Sequence, residues 1–191
     1  AFIDYANPKF AIKASQLPKN AIIVRSLTKF YGIAGIRAGY TIADPAIAKK
    51  LAELIPEWSV NIFAIELAKK IFQDGELFRK RAFDLNCERR AKFAKMLSVT
   101  QGIVFFDSQS NYFLIKTKYP SAEIFKKLLL EHKIAVRDCA NFAGLESGGF
   151  IRVAVRSDSD NKRLVSALEN VIRPREKKFF LIAKKRKPSL M

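Results

Sequence analysis

The stretch VRSLTKFYGIAGIRAGY, Val24 to Tyr40, decides how the rest of the chain is read. It grows out of an apolar run, AIIVRSL (21–27), whose length and β-branched content are those of a buried strand. Lys29 follows that run directly, at the strand end where ligands gather in α/β sheets. Ser26 and Thr28 flank it with hydroxyls suited to phosphate oxygens, and Arg37 adds a planar fork for bidentate bonding to an anion. Gly32, Gly35 and Gly39 permit a tight path that brings these groups round one anion. A lysine amine condenses with carbonyl compounds and so serves in covalent catalysis. The same order of residues also fits a plain strand–loop–strand with a solvent-facing lysine, and composition does not separate the two.

Working outward, AFIDY (1–5) reads as a strand end and RAGYTIA (37–43) as a strand after a Gly-containing turn. Asp44-Pro45 opens a helix over PAIAKKLAEL (45–54). PEWSVN (56–61) is a loop into a second helix with Ile62, Ile65, Leu67, Ala68 and Ile71 on its apolar side. A long helix is expected from about Glu76 to Met96, with Phe83, Leu85, Phe93 and Met96 near helical spacing. Beyond Ser98 the texture changes. GIVFF, YFLIK, IAVRD and GFIRVAV read as strands, and SAEIFKKLLLEHK and SDNKRLVSALENVI as helices. This β-β-α-β-β-α order predicts a small α+β domain with helices on one sheet face.

Composition sets the outer bounds. A chain of 191 residues, 49% hydrophobic with 16 Phe, is long and apolar enough to bury a core. No apolar run reaches the roughly 20 residues that span a bilayer. The opening AFIDYANPKF lacks a start methionine and a signal-peptide pattern, and reads as the continuation of a longer chain. Cys87 and Cys139 form no disulfide framework, and neither they nor His132 has metal-ligand spacing, which points to a reduced, cytoplasmic setting and no metal. His132 reads as a solvated residue at a helix end.

The net charge of +17 raises a nucleic-acid reading, salt-sensitive and centred on the tail. That tail, 173–191, carries eight Lys/Arg against one Glu, and the remaining charge is scattered over helix faces. No aromatic-interleaved basic face or nucleic-acid motif accompanies it, so no nucleic-acid partner and no membrane partner is expected.

An anion site beside a lysine amine matches pyridoxal 5'-phosphate, in which the phosphate anchors the cofactor and the ring acts as an electron sink. To move protons in such a site, Lys29 needs a lowered pKa, from desolvation and nearby positive charge. The residues also carry a family resemblance. SLTKFYGIAGIRAGY is similar to the lysine motif of fold-type I PLP enzymes in the class I/II aminotransferase superfamily. The likeness runs from Ala1 to about Ile172 and is closest to the threonine-phosphate decarboxylases and histidinol-phosphate aminotransferases. PEWSVN, SQSNYFLI, VRDCANFAGL and FIRVAVRSDSDNKRLVSAL carry the rest of it.

The resemblance implies the C-terminal part of the PLP-binding large domain over 1–95, with a mixed sheet and helices. A small α+β domain over 96–172 and a basic tail over 173–191 would follow. It implies Lys29 as the covalent cofactor lysine and Ser26, Thr28 and Arg37 on the cofactor phosphate. Arg152 would grip the substrate carboxylate, and Arg156, where the aminotransferases place glycine, would be a second substrate cation. Arg137 and Asn141 would lie near the substrate phosphate. Asn61 and Asn111 read either as pocket residues or as turn and cap residues. The family's aspartate for the cofactor ring falls two residues before Ala1. Phe2 stands where the aminotransferases carry a tyrosine. The resemblance thus implies a PLP-dependent decarboxylase of an amino acid phosphate, O-phosphothreonine in cobalamin biosynthesis. The alternatives are a histidinol-phosphate-type aminotransferase and an inactive truncated remnant of such an enzyme. A homodimer sharing its active sites is the assembly implied.

Overall fold

The computed structural model of the chain describes residues 1–146 and 148–172. The expected basic tail at 173–191 lies outside the described residues. Strands β1 (Ile22–Ser26) and β2 (Gly39–Ala43) form an antiparallel ribbon in which Ile22 faces Ala43 and Ser26 faces Gly39. Helix α1 (Pro45–Leu54) starts as the sequence dictates, with Pro45 in its first turn and the Asp44 carboxylate accepting from the Ala46 N–H at 3.0 Å. Helices α2 (Ile62–Asp74) and α3 (Glu76–Val99) meet at Gly75, where an added Cβ would lie 2.3 Å from the Ile71 carbonyl oxygen.

Strands β3 (Ile103–Phe106), β4 (Tyr112–Thr117), β5 (Arg137–Asp138) and β6 (Phe150–Ala154) make an antiparallel sheet in the order β3-β4-β6-β5. Helices α4 (Ser121–His132) and α5 (Asp158–Ile172) complete the expected β-β-α-β-β-α order. Two-residue alternation sends Phe113, Ile115, Ile151 and Val153 to one face, where Phe93 and Leu97 of α3, Ile124 and Leu128 of α4 and Leu164 and Leu168 of α5 close over them. A separate cluster gathers Leu27, Ala38 and Ala64, with Tyr31, Tyr40 and Ile71 packed against it. Helix α3 passes unbroken through position 95.

Local hydrogen bonds explain the helix ends near the sheet. His132 ends α4, and Lys133 takes the left-handed conformation usual for glycine there, φ 56°. Its N–H and that of Ile134 then close onto the Leu129 and Leu128 carbonyls at 3.2 and 2.9 Å. Arg163 donates to the His132 carbonyl from α5, so this end is only half-buried rather than fully solvated. Buried Asn161 clamps the β6–α5 turn by accepting from the Arg156 N–H and donating to the Arg156 carbonyl.

Four expectations need correction. AFIDY is not a strand end: Ile3–Tyr5 is a 3-10 turn, because no described strand lies beside it to accept a ladder and Asp4 instead pairs with Arg25. The run AIIVRSL forms its strand, but Ile22 and Val24 are exposed, since a two-stranded ribbon has only one covered face. On α2 the covered side is Ala64, Ala68 and Ile71, while Ile62 and Ile65 face outward. On α3 the stripe shifts to Asn86, Phe93 and Leu97 and leaves Leu85 exposed. Apolar periodicity locates a helix without saying which of its apolar sides meets a neighbour.

Two measurements probe this scaffold. Gly149 has φ +79°, and a Cβ there would sit 2.3 Å from the Thr117 backbone oxygen, while the Thr117 N–H donates to the Gly149 carbonyl at 2.8 Å. Gly149→Ala is therefore expected to cost roughly 2–3 kcal/mol in urea unfolding, from left-handed strain plus a backbone clash.

Asp138 in β5 accepts from the Ala140 N–H at 2.9 Å, and this bond, followed by one from the Ser121 hydroxyl, holds its carboxyl below the ordinary 3.8. Its folded pKa is thus lower than its unfolded one. The stabilisation is present above the unfolded value and is lost as pH falls through the folded value. Asp138→Asn should leave stability less steeply dependent on pH below about 4, read from unfolding midpoints taken from pH 2 to 6.

Candidate active site

The turn after β1 presents the lysine. Leu27 extends the ribbon by one bond, its N–H donating to the Ala38 carbonyl at 3.1 Å, and the chain then tightens as Tyr31 donates back to Leu27. Leu27, Thr28 and Phe30 turn inward and are buried, which leaves Lys29 as the exposed side chain of the turn. Aromatic edges hold the turn: the Phe30 ring meets Tyr5 at 4.8 Å and Tyr31 at 5.2 Å. The Tyr5 hydroxyl donates to the Lys29 carbonyl at 3.1 Å, and burial, then the neighbouring Asp4 charge, push its pKa up, which keeps that donor protonated.

The two hydroxyls expected to act together do meet. Ser26 Oγ and Thr28 Oγ1 lie 2.8 Å apart, and the Thr28 N–H donates to Ser26 Oγ at 3.3 Å. One of their two protons is shared between them, so the other remains for an outside acceptor. Arg37 closes the loop in the left-handed region, φ 61° and ψ 50°, a conformation costing about 1–2 kcal/mol in a non-glycine residue. It donates to the Ala34 carbonyl at 2.9 Å from one nitrogen of its fork. Of the three glycines, Gly39 is required by a close approach, since a Cβ would stand 2.8 Å from the Arg25 carbonyl oxygen. Gly35 has open space around it and an ordinary φ, so this geometry does not need glycine there.

Asn61 caps α2. Its Oδ1 accepts from the Ala64 N–H at 2.9 Å, and its Nδ2 donates to the Ile36 carbonyl at 3.0 Å. It thereby ties the Arg37 turn to the start of α2. Asn111 likewise works through its backbone, its carbonyl accepting from Val155 at 2.8 Å.

On the small sheet, the face opposite the core carries Arg152. Its cross-strand neighbours are Leu114 on β4 and Arg137 on β5. The Arg152 guanidinium lies 4.9 Å from the centre of the Tyr112 ring, and that ring receives the Phe2 edge at 5.2 Å. Arg137 bonds Asn141 at 3.1 Å and lies 5.3 Å over the Phe142 ring. Two like charges directly opposed across a ladder repel, and here aromatic rings, not carboxylates, hold them in place. Arg156 does not join them. Beyond the end of β6 it pairs with Asp160 at 3.1 Å and lines a cavity with Lys133 and Arg163. The cross-strand neighbour of Arg152 is thus Arg137, because pairing register, not sequence proximity, chooses it.

The segment at 2–5 joins the two groups. Tyr5 touches the lysine turn, Phe2 touches the ring under Arg152, and Asp4 pairs with Arg25 of β1. Neither Tyr5 nor Tyr112 was singled out as a site residue from the sequence. Strand alternation in NYFLIK offered a signal for Tyr112, since it places this residue opposite core-facing Phe113. Among the described residues, no cluster of His, Cys, Asp or Glu has the makings of a metal site, and both cysteines are free. No described helix is long and apolar enough to cross a membrane.

Known proteins resemble this chain in sequence and fold. The family model described as aminotransferase class I and II matches residues 3–168. Threonine-phosphate decarboxylase from Salmonella typhimurium is 33% identical over 90% of this chain and 47% of its own length. Histidinol-phosphate aminotransferase from Caldanaerobacter subterraneus is 32% identical over 81% of this chain and 42% of its own. The structure of histidinol-phosphate aminotransferase from Sinorhizobium meliloti, in complex with pyridoxal-5'-phosphate, superposes with a TM-score of 0.77 at 22% identity, covering 90% of this chain and 47% of that one. The chain spans about half the length of the curated relatives it matches. A lysine turn with paired hydroxyls, on a fold shared over nine-tenths of its length, leaves one conclusion: the chain belongs to the aminotransferase class I and II family.

Proposed function

We propose that this chain carries the cofactor-lysine half of a PLP-dependent decarboxylase acting on an amino acid phosphate, O-phosphothreonine being the substrate we favour. The observation that carries the reading is the cross-strand pair Arg137 and Arg152, two cations opposed on one sheet face with rings beneath them. Such a pair suits a substrate bearing both a carboxylate and a phosphate. The residues around Lys29 fit the cofactor: an unspent hydroxyl proton from the Ser26–Thr28 pair and the fork of Arg37 suit a phosphate, and Lys29 offers an exposed amine. We assign residues 1–95 and 96–172 to two domains that bring these two groups to one cleft.

When bound, the cofactor supplies an electron sink for the pair left at the substrate α-carbon. Arg152 orients the carboxylate so that its bond to the α-carbon breaks and carbon dioxide leaves. Arg137, steadied by Asn141, holds the phosphate. The Lys29 amine delivers a proton to the α-carbon. Phe2, with no hydroxyl, contributes an apolar edge against Tyr112. The protein works in the reducing cytoplasm as a homodimer.

Similarity to the Caldanaerobacter aminotransferase favours a second reading, in which Lys29 removes the α-proton and the carboxylate stays. Incubation of the complete enzyme with O-phosphothreonine, and separately with histidinol phosphate and 2-oxoglutarate, separates the two. Carbon dioxide release from the first substrate supports the decarboxylase, glutamate formation from the second supports the aminotransferase, and neither product sinks both.

A further inference from the structure

A cavity of about 360 Å³ opens where the end of α4, the end of β6 and the first turns of α5 meet. Three cations line it: Lys133 just past α4, Arg156 just past β6 and Arg163 on α5. Asp160 alone brings a carboxylate to the lining. The floor is apolar, with Val153 and Leu164 from the core and Val136 packed against them. Val153 points to the helix side of the sheet, whereas Arg152 stands on the opposite face. The cavity is therefore separate from the Arg137–Arg152 pair, and no residue of the lysine turn lines it.

Each cation is held in place by a bond of its own. Lys133 Nζ donates to the Leu130 carbonyl at 3.1 Å, Arg163 donates to the His132 carbonyl, and Arg156 Nε donates to Asp160 at 3.1 Å. Buried Asn161 fixes the Arg156 backbone at both its N–H and its carbonyl. An ammonium has three N–H donors and a guanidinium five, so one such bond exhausts none of them. Hydrogen bonds from Ser157 and then Arg156 hold the Asp160 carboxyl below the ordinary 3.8, which keeps it ionised and its grip on Arg156 intact. Three positive charges against one negative leave the lining with an excess of two. Like charges gathered over an apolar wall repel one another and focus a positive potential into the cavity.

We infer that this cavity binds a small organic phosphate, its phosphate among Lys133, Arg156 and Arg163 and its carbon part on the apolar floor. A tetrahedral dianion offers acceptors to three cations from separate directions and matches the excess of two charges. The volume lies near the lower end of small-molecule sites, about 300–1,000 Å³, which suits a phosphate carrying a few carbons. A dicarboxylate fits less well, because its charges sit at opposite ends and one of them falls on the apolar floor. The bound phosphate bridges the end of α4, the β6–α5 turn and α5, and so stabilises their mutual packing. The inference goes beyond the proposed reaction and rests on none of it.

The test is titration of the full 191-residue chain, isotope-labelled and without cofactor, with phenyl phosphate and separately with inorganic phosphate. The readout is amide chemical shifts by nuclear magnetic resonance. Saturable shifts are expected in residues 133–136 and 153–164, with a dissociation constant of about 1 mM or below for phenyl phosphate. Inorganic phosphate, which has no carbon part, should bind several-fold more weakly. Lys133→Gly, which suits the left-handed backbone there, and Arg156→Gln should each weaken the binding at least tenfold. Lys162→Gln, exposed on α5 and outside the cavity lining, should leave it unchanged. Shifts confined to residues 26–37 and 112–152 overturn the inference. So do shifts that grow without saturating over scattered lysines, and binding at the cavity that Lys133→Gly and Arg156→Gln leave intact. Loss of this site leaves the proposed decarboxylation standing, and failure of the decarboxylation leaves this site standing.

Discussion

Lys29→Ala is expected to abolish specific attachment of pyridoxal 5'-phosphate and to lower turnover of the complete enzyme by roughly a thousandfold or more, the scale on which removal of a covalent catalytic group acts. The expectation rests on the proposed cofactor role of Lys29 and on its place in the turn. Lys29 is held outward by three inward-facing neighbours, its carbonyl is fixed by Tyr5, and the Ser26–Thr28 hydroxyl pair lies within three residues of it. The measurement is borohydride reduction in the presence of the cofactor, followed by peptide mapping. Label concentrated at Lys29 in the parent and absent from Lys29→Ala is the expected pattern. Label spread evenly over the chain's many lysines in both proteins would falsify the cofactor assignment. Ser26→Ala and Thr28→Ala should each weaken cofactor affinity by about tenfold, as expected for one hydrogen bond to a charged phosphate, while leaving the Lys29 label in place at saturating cofactor.

Phe113→Ala should produce the largest loss of stability from a single truncation, roughly 3–5 kcal/mol. Phe113 on β4 is fully buried and receives the edges of Phe93 from α3 and Phe105 from β3, each at 5.6 Å between ring centres. Removing it deletes two edge-to-face contacts and opens a cavity where α3 meets the sheet. Phe113→Leu keeps most of the volume and should cost distinctly less. Chemical denaturation followed by far-ultraviolet circular dichroism measures both. A loss below about 1 kcal/mol for Phe113→Ala would show that this core collapses around the gap.

Much of this protein was legible before any coordinate. Asp44-Pro45 announced the start of α1, and the order of strands and helices after Ser98 came out as read. The meeting of the Ser26 and Thr28 hydroxyls was legible too, because the two residues lie two apart in one turn. These features depend on caps, turns and periodicities that act over a few residues. What tertiary structure alone decided was pairing across distance. Arg152 met Arg137 and not Arg156, since strand register sets cross-strand neighbours. Asn61 was spent on capping α2 and holding the Ile36 carbonyl, which only the placement of that helix reveals. AFIDY became a turn and AIIVRSL a half-bare strand because a strand's state depends on what lies beside and above it. Periodicity names the candidate faces of an element, and the partner that buries one of them is a matter of the whole fold.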